Sequence, residues 1–433
     1  MDILLGLGGS IGDVILGVLL LIAGFLAIKT LVSYLKNWWL DESQKKFAAS
    51  INYVLLEIKF PKNNETFPKA MEQVFASFYQ IYSFGIKPEK KWLEGQFEEK
   101  ISAEMVSSKD GIRFFIRVNK KNRPIVENAL FAQYPGAEIV EAPEDYVKDF
   151  PANLPNEEFD IMGADMILGK DSAYPMRTYP YFFGERKYEE QEVDPIAILA
   201  EVMSSLKEDE RLWVQVLISP AGDKLKEAAK KVIGEKMGKK EEPKKGASGA
   251  LFEFVTQAVQ APVKHPEWDG AKSDEKPKSV SSIDNEIIRA VDAKASKLAF
   301  DTIVRIIYID KKDDFSGSNF KAATSAFQQF NTTNLNFVRP ARLTMTVPLR
   351  FYVPQRKQRL LEKKKRIYRN YIEREFTGYT NVEEMYRKHV EPSIMNVEEL
   401  ATIFHPPIGR VAAVGLGQPE AKKGAPPANL PIG

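Results

Sequence analysis

A run of basic residues near the C-terminal end carries the clearest chemical signal in the chain. Between positions 356 and 369, eight lysine and arginine residues accompany a single carboxylate, that of Glu362. The basic residues are Arg356, Lys357, Arg359, Lys363, Lys364, Lys365, Arg366 and Arg369. Such a cluster can bind the phosphates of nucleic acid or anionic lipid, or an acidic partner. Apolar residues also occur along the predicted helix 355–371, so a docked helix with solvated basic faces is the alternative interpretation.

Residues for covalent or metal-dependent catalysis are scarce. The chain has no cysteine and only three histidines, His265, His389 and His405. Without cysteine, disulfides, thiolate catalysis and iron–sulfur clusters are excluded. The fragment nearest to a nucleotide-binding P-loop is Gly169-Lys170-Asp171, which lacks both the Gly-rich loop and the hydroxyl that binds Mg²⁺. We therefore predict a protein that is not an enzyme and has no cofactor or metal.

An apolar segment near the N-terminus predicts a membrane anchor. From 11 to 35 only Asp13 and Lys29 are charged, and about 20 helical residues cross a bilayer core. We predict a transmembrane helix over 11–35, preceded by a periplasmic end at 1–10. Four lysines follow between 29 and 46, which predicts a single-pass protein of the inner membrane with a cytoplasmic body. Gly8 and Gly12 have the spacing of a helix-pairing face, and a flexible end is the alternative.

Beyond residue 50, alternating strand and helix patterns predict an α+β body. The order βαββαβ can be traced over 50–142, with Asp110-Gly111 as a hairpin turn between two alternating strands. This is the ferredoxin-like order. The same order recurs over 159–350, where Asp194 is predicted to cap a helix that begins with Pro195 and the last strand is placed at 343–349.

Four further segments complete the predicted organisation. Residues 143–158 form an acidic, solvated linker, and an insertion at 221–297 interrupts the second unit. The middle of this insertion, 238–282, is rich in Lys, Glu, Pro, Gly and Ser and is predicted to be mobile, whereas its flanking helices could pair. A basic helical region follows at 351–410, and a Pro/Gly/Ala-rich tail occupies 411–433.

Three short motifs give the chain a resemblance to a known family. They are Tyr134-Pro-Gly-Ala-Glu-Ile139, Asn396-Val-Glu-Glu-Leu-Ala-Thr-Ile-Phe-His-Pro-Pro407 and Ala425-Pro-Pro-Ala-Asn-Leu-Pro431. Together with an anchor followed by α+β units, they resemble the non-motor, membrane-anchored half of type IV secretion or conjugation-like FtsK/HerA-type ATPases. The resemblance implies a separate P-loop ATPase as partner. It also implies a docking segment, for which the candidate residues are Leu400, Ile403, Phe404, Pro426, Pro427 and Leu430.

The sequence therefore predicts a non-catalytic, membrane-anchored scaffold or accessory subunit of a DNA- or protein-translocating ATPase, assembled as a homo-oligomer. Asn396 and Glu399 have the spacing of a capping box that would begin the docking helix, although core packing explains the same residues. A membrane-tethered protein that binds nucleic acid through the basic helix 355–371 is the alternative. An enzyme with an unrecognised site is a third possibility.

Overall fold

A single long helix, α1 (Asp2–Ser50), precedes a mixed body in the computed structural model. The structure describes residues 2–61, 64–82, 85–108, 111–183, 194–238, 281–347, 355–376 and 390–408. Between Leu19 and Ser50, α1 is long and apolar enough to cross a membrane, and none of its most apolar window is buried in the protein. The helix extends beyond the predicted segment 11–35 in both directions, and the periplasmic location of 1–10 stays a prediction. The side chains of 2–15 and 18 lie outside the described part, and with them the pairing face of Gly8 and Gly12.

The body is built on a nine-stranded sheet in which all described neighbours are antiparallel. The strands follow the alternating patterns of the sequence, because a half-turn per residue sends successive side chains to opposite faces. Their bounds are β1 (Tyr53–Lys59), β2 (Ile101–Ser108), β3 (Gly111–Asn119), β4 (Glu138–Glu141), β5 (Phe159–Leu168), β6 (Arg211–Pro220), β7 (Ala299–Lys311), β8 (Val338–Pro340) and β9 (Ser393–Asn396).

The sheet has two halves with the same strand arrangement. The order is β4-β1-β3-β2-β6-β7-β5-β8, with β9 pairing to β7. The halves meet where β2 pairs with β6, from Ile101 opposite Ile218 to Val106 opposite Trp213. They are therefore one continuous sheet. The last strand lies at 338–340 instead of the predicted 343–349, and β9 places a strand within the region 351–410 that was predicted as helical.

The helices of the body are α2 (Pro68–Phe78), α3 (Pro88–Leu93), α4 (Arg123–Gln133), α5 (Tyr179–Phe182), α6 (Ala197–Ser204), α7 (Lys224–Lys236), α8 (Ser282–Ala295), α9 (Ser318–Ala326), α10 (Arg356–Ile372) and α11 (Val397–Ile403). Helices α2, α4, α5, α6, α9 and α11 cover one face of the sheet, the helical face, and α10 lies on the second face. Helices α7 and α8 pack against each other, and α3 lies beside α1. Apolar side chains from α2, α4, α6, α9 and α11 form one core with the inward residues of both halves. Because this core is continuous, both halves of the sheet contribute side chains to the same hydrophobic core.

The two helices that flank the middle section of the insertion pair with each other, as predicted. Ala229 and Val232 of α7 pack with Ile287 and Val291 of α8, and Lys236 pairs with Asp284 at 2.7 Å. Of the segment predicted as mobile, 238–282, residues 239–280 lie outside the described residues.

Part of the predicted acidic linker, 143–158, packs on the second sheet face, although nine of its sixteen residues are exposed. Tyr146 and Leu154 are buried there with Phe115 and Trp213. Aromatic surface buried against the sheet outweighs the cost of fixing this segment, so the prediction of a solvated linker is wrong for this part of it.

Candidate functional site: a basic helix seated on a buried polar row

The basic helix α10 lies on the second sheet face through its last turns. Ile367, Tyr368 and Tyr371 are buried there, whereas the first turns project into solvent. The close approach requires a glycine beneath it: a Cβ at Gly163 would lie 3.0 Å from Cδ1 of Ile367. The observed bounds agree with the predicted helix 355–371 to within one residue.

The eight basic residues of the predicted phosphate site divide into two groups. Lys364 pairs with Asp160 at 2.6 Å, and Lys363 donates to the carbonyl oxygen of Arg342 at 3.0 Å. Burial, reinforced by the charge of Arg366, lowers the pKa of Lys363. The exposed members are Arg356, Lys357, Arg359, Lys365 and Arg369, with Arg366 half-buried. Two lysines of the central run therefore hold the helix to the body, and the predicted phosphate site retains its outer residues as the exposed ones.

Beneath the end of α10, four polar residues form a row across the sheet, which we call the polar row: Glu104, Asp165, Gln215 and Arg305. They stand opposite one another in register: Asp165 on β5 faces Arg305 on β7, which faces Gln215 on β6, which faces Glu104 on β2. All four are fully buried. Nε of Arg305 lies 2.8 Å from Asp165, and its Nη1 lies 3.1 Å from Gln215, whose Nε2 lies 3.2 Å from Glu104. The row crosses the seam between the two halves of the sheet.

The polar row also binds the end of α10. The last carbonyls of a helix have no partner within it. Arg305 donates to the carbonyl oxygen of Asn370 at 2.7 Å, and Gln215 donates to that of Tyr371 at 3.1 Å. Positive charge at a helix C-terminus is favoured by the helix dipole. The row therefore positions the basic helix as well as joining the two halves.

Arg374, just after the end of α10, also binds to the polar row. Its φ of 53° places it in the left-handed region, which turns the chain back over the row. Its Nε lies 2.9 Å from Glu104 and its Nη1 lies 2.6 Å from Asp145. Burial lowers the pKa of Arg374, but the charge of Glu104 and its hydrogen bonds outweigh this and hold the pKa well above its usual range. The guanidinium therefore stays charged.

The sequence contains a signal for the polar row that the motif search did not use. Each of the four strands has one polar or charged residue in the middle of an apolar run, as in Val304-Arg305-Ile306. Such a residue is costly to bury alone, so four of them in neighbouring strands indicate mutual pairing. The register that brings them together is a property of the assembled sheet.

The predicted docking residues of α11 are part of the core. Leu400, Ile403 and Phe404 are at most 1% exposed and pack among the residues of the helical face. The prediction that they face a partner is wrong, because α11 fills the space between α2 and the sheet, while Pro426, Pro427 and Leu430 lie outside the described residues. The predicted capping box of Asn396 and Glu399 is confirmed.

Two buried polar contacts hold α11 in place. Lys294 and Glu399 are fully buried and lie 2.9 Å apart. His405 is buried between the carbonyl oxygen of Ala401 and Oδ1 of Asp194, at 2.7 Å and 3.0 Å. Asp194 also accepts from the backbone N–H of Ile408 at 2.8 Å. The helix it was predicted to cap begins later, at Ala197, because this carboxylate binds the C-terminal segment as well as the N–H of Ile196.

Acid should loosen this segment. Burial raises the pKa of Asp194, but His405 and two backbone N–H groups outweigh it, so the folded pKa lies below the usual value. A depressed carboxyl pKa contributes stability that is present above the unfolded pKa, about 3.9, and is lost as pH falls through the folded pKa. We expect the stability of Asp194→Asn, measured by denaturant unfolding from pH 7 to pH 2.5, to fall less with acid than that of the parent. Identical pH slopes for the two proteins would contradict this role.

The end of α1 is joined tightly to the body. A Cβ at Gly95, whose φ is +68°, would lie 2.2 Å from the backbone carbon of Ser43. Phe47 of α1 stacks edge-on against Phe97, with ring centroids 5.3 Å apart. Beside this contact lies a cavity of about 480 Å³, lined by residues of α1 such as Asp41 and by others of the body such as Lys100. Helix α1 therefore enters the body without a flexible link.

We expect Gly95→Ala to displace α1 from the body. The added methyl group meets backbone, which cannot rotate away, and the positive φ adds strain. Because the chain has no cysteine, spin labels at Lys46→Cys in α1 and Lys224→Cys at the start of α7 can report the distance between α1 and the body. In Gly95→Ala the distribution of this distance should broaden or shift to longer values. Gly85→Ala is the matched control, since Gly85 also has a positive φ, of +88°, but no atom lies within 4 Å of the added Cβ. Unchanged distances in Gly95→Ala would refute the tight junction.

Within the described residues, no group of three or more His, Cys, Asp and Glu side chains is arranged to hold a metal ion. What the site offers chemically is a set of exposed guanidinium and ammonium groups on a firmly seated helix. Comparison with curated proteins finds no match to the chain. A family model described as a domain of unknown function (DUF8128) matches residues 37–411, which is most of the chain, and the protein therefore belongs to that family.

Proposed function

We propose that this protein is a membrane-anchored, non-catalytic scaffold that positions a separate P-loop ATPase of the type IV secretion or conjugation-like kind at the membrane. The observation that carries the scaffold role is the junction at Gly95 and Ser43, where a helix able to cross a membrane continues into the body without slack. A rigid joint fixes the position of the body, and of a partner bound to it, relative to α1. A flexible tether would only raise the local concentration of the body at the membrane. The choice of an ATPase as partner is supported by the resemblance of the three sequence motifs.

Two further features complete the proposal. Each half of the sheet is a ferredoxin-like unit, which is supported by the recurring order β4-β1-β3-β2 and β8-β5-β7-β6. The protein acts as a homo-oligomer in the inner membrane with its body in the cytoplasm. The lysines that follow the apolar segment support this orientation. Sedimentation in mild detergent should show a complex larger than one chain, and a monomer at all concentrations would refute the oligomer.

The partner can be identified by mild-detergent capture from native membranes with the full chain as bait. We expect a P-loop ATPase among the co-purified proteins and ATP hydrolysis in the eluate. The Gly95→Ala variant should still capture the partner if docking uses the body, but should not support translocation. Recovery of the bait without any ATPase would refute the scaffold role.

The second candidate function is nucleic-acid binding through the exposed end of α10. It is favoured by four exposed basic residues, Arg356, Lys357, Arg359 and Lys365, that make no ion pair with any described residue. Each phosphate contact releases condensed counterions, so binding should weaken steeply with salt.

Replacing these four residues with glutamine should reduce affinity for duplex DNA by at least about tenfold at low salt and flatten the salt dependence. The matched control removes four exposed lysines elsewhere, Lys230, Lys231, Lys312 and Lys321. It has the same change in net charge and should bind almost as the parent does. Equal losses in both variants would show a nonspecific charge effect and would eliminate α10 as the binding element.

A further inference from the structure

The short helix α3 lies beside α1 at the level where the apolar segment ends. The indole N–H of Trp39 donates to the carbonyl oxygen of Trp92 at 2.9 Å. The side chains of Val32, Leu35 and Trp38 join these two tryptophans around an apolar recess of about 350 Å³. A segment far along the chain therefore contributes to the same surface as the anchor helix.

The height of this surface along α1 corresponds to a membrane interface. Leu35 is the last residue of the apolar segment, and at 1.5 Å per residue Trp39 lies about 6 Å beyond it. This depth is the headgroup region, where tryptophan is enriched and where interfacial elements bury their apolar side chains by about 5–10 Å. Trp38 and Trp39 are each about half exposed in the protein, at 49% and 52%.

The end of α3 presents a large apolar side chain at this height. Leu93 is 73% exposed, which is more than any other large apolar side chain that the structure describes outside α1. Lys90 and Lys91 are exposed next to it and make no ion pair with a described residue, while Glu89 and Glu94 are the neighbouring carboxylates. An exposed leucine beside lysines is typical of a segment that inserts into a lipid surface.

The position of Leu93 relative to the anchor is fixed. Two residues later, Gly95 contacts the backbone of Ser43 so closely that no side chain fits between them. Leu93 can therefore not move away from the membrane without separating α1 from the body. Its exposure is set by the same contact that makes the junction rigid.

We propose that Trp92 and Leu93 form a second membrane contact, inserted in the headgroup region of a phospholipid bilayer, which fixes the tilt of α1 and the body relative to the bilayer. A single helix that crosses a bilayer can tilt in it, and the body that is rigidly joined to the helix would tilt with it. A second contact beside it removes that freedom. This inference rests on the proposed membrane anchorage of α1.

Single-cysteine labelling of the full chain tests the proposal, because the chain has no native cysteine. A fluorophore is placed at Leu93→Cys, at Leu26→Cys within the apolar segment, and at Asp313→Cys. Asp313 follows the end of β7 opposite to Asp301, which lines the cavity at the junction, so it lies about 30 Å away along the strand. Each protein is reconstituted in phosphatidylcholine–phosphatidylglycerol nanodiscs, with and without a mixture of lipids brominated near the top and near the end of the acyl chain.

We expect bromolipids to remove more than about half of the emission at positions 93 and 26, and almost none at 313. Emission at 93 that resembles that at 313, with quenching retained at 26, overturns the second contact but leaves the anchor intact. An unquenched label at position 26 instead refutes the anchor itself, and with it both this inference and the membrane scaffold.

Discussion

Replacing Arg305 with methionine should destabilise the body by about 3–5 kcal/mol, the cost typical of breaking a buried ion pair by removing one partner. Methionine approximates the volume of the arginine stem, so the effect is electrostatic and not a cavity. It leaves the carboxylate of Asp165, which is fully buried, without the guanidinium that lies 2.8 Å away. It also removes the donors to the carbonyl oxygens of Asn370 and Glu375.

Denaturant unfolding of the full chain in mild detergent measures this loss. Arg289→Met on the exposed face of α8 is the matched control, and its effect should stay within about 0.5 kcal/mol. The double variant Arg305→Met with Asp165→Leu should recover part of the stability, because an apolar pair no longer buries an unpaired charge. A loss of less than about 1 kcal/mol in Arg305→Met would contradict the structural role of the polar row.

The polar row also predicts a local consequence of the same substitution. Since Arg305 and Gln215 bind the last carbonyls of α10, the end of this helix should lose protection against hydrogen exchange before the rest of the sheet does. The exposed basic residues would then be carried on a mobile helix. If phosphate binding depends on a fixed arrangement of charges, Arg305→Met should weaken it without removing a single exposed charge.

Replacing Lys294 with methionine should have an effect of similar size at the other face of the sheet. Glu399 accepts hydrogen bonds from Lys294, from the backbone N–H of Met176 at 3.0 Å and from that of Asn396 at 3.1 Å. Without the ammonium group, its negative charge is buried with only two neutral donors. We expect a loss of about 3–5 kcal/mol. Burial lowers the pKa of Lys294 and Glu399 opposes this, so the pair depends on mutual contact.

Lys297 provides the matched control for this prediction. It lies one turn further along the chain and pairs with Glu398 as well as with Glu72, the latter at 3.0 Å, but its side chain is 30% exposed. Lys297→Met should therefore cost about 1 kcal/mol or less, as solvent-screened pairs do. Adding Glu399→Gln to Lys294→Met should restore part of the stability, because the buried negative charge is removed, although the single amide oxygen can accept from only one of the two backbone groups. Equal losses for Lys294→Met and Lys297→Met would show that burial of the pair is unimportant.

Local patterns in the sequence determined several elements of this protein. Three of these elements depend only on neighbouring residues, so they could be predicted from the sequence. They are the apolar run of α1, the alternating strands around Asp110-Gly111, and the capping box of Asn396 and Glu399. The bounds of the basic helix were predicted for the same reason. The pairing of α7 with α8 on either side of the middle section of the insertion was also predicted, because each helix has an apolar face that needs a partner nearby.

Tertiary structure alone decided which of these residues are available for function. Leu400, Ile403 and Phe404 have the composition of a docking face as well as that of a core helix, and only the packing of α11 against α2 buries them. Lys363 and Lys364 resemble their exposed neighbours in the sequence, but contacts with Arg342 and Asp160 hold them to the body. The polar row joins residues up to 201 positions apart, from Glu104 to Arg305, and only the register of four strands places them in contact. Burial and long-range register arise from the assembled sheet, and a local pattern contains neither.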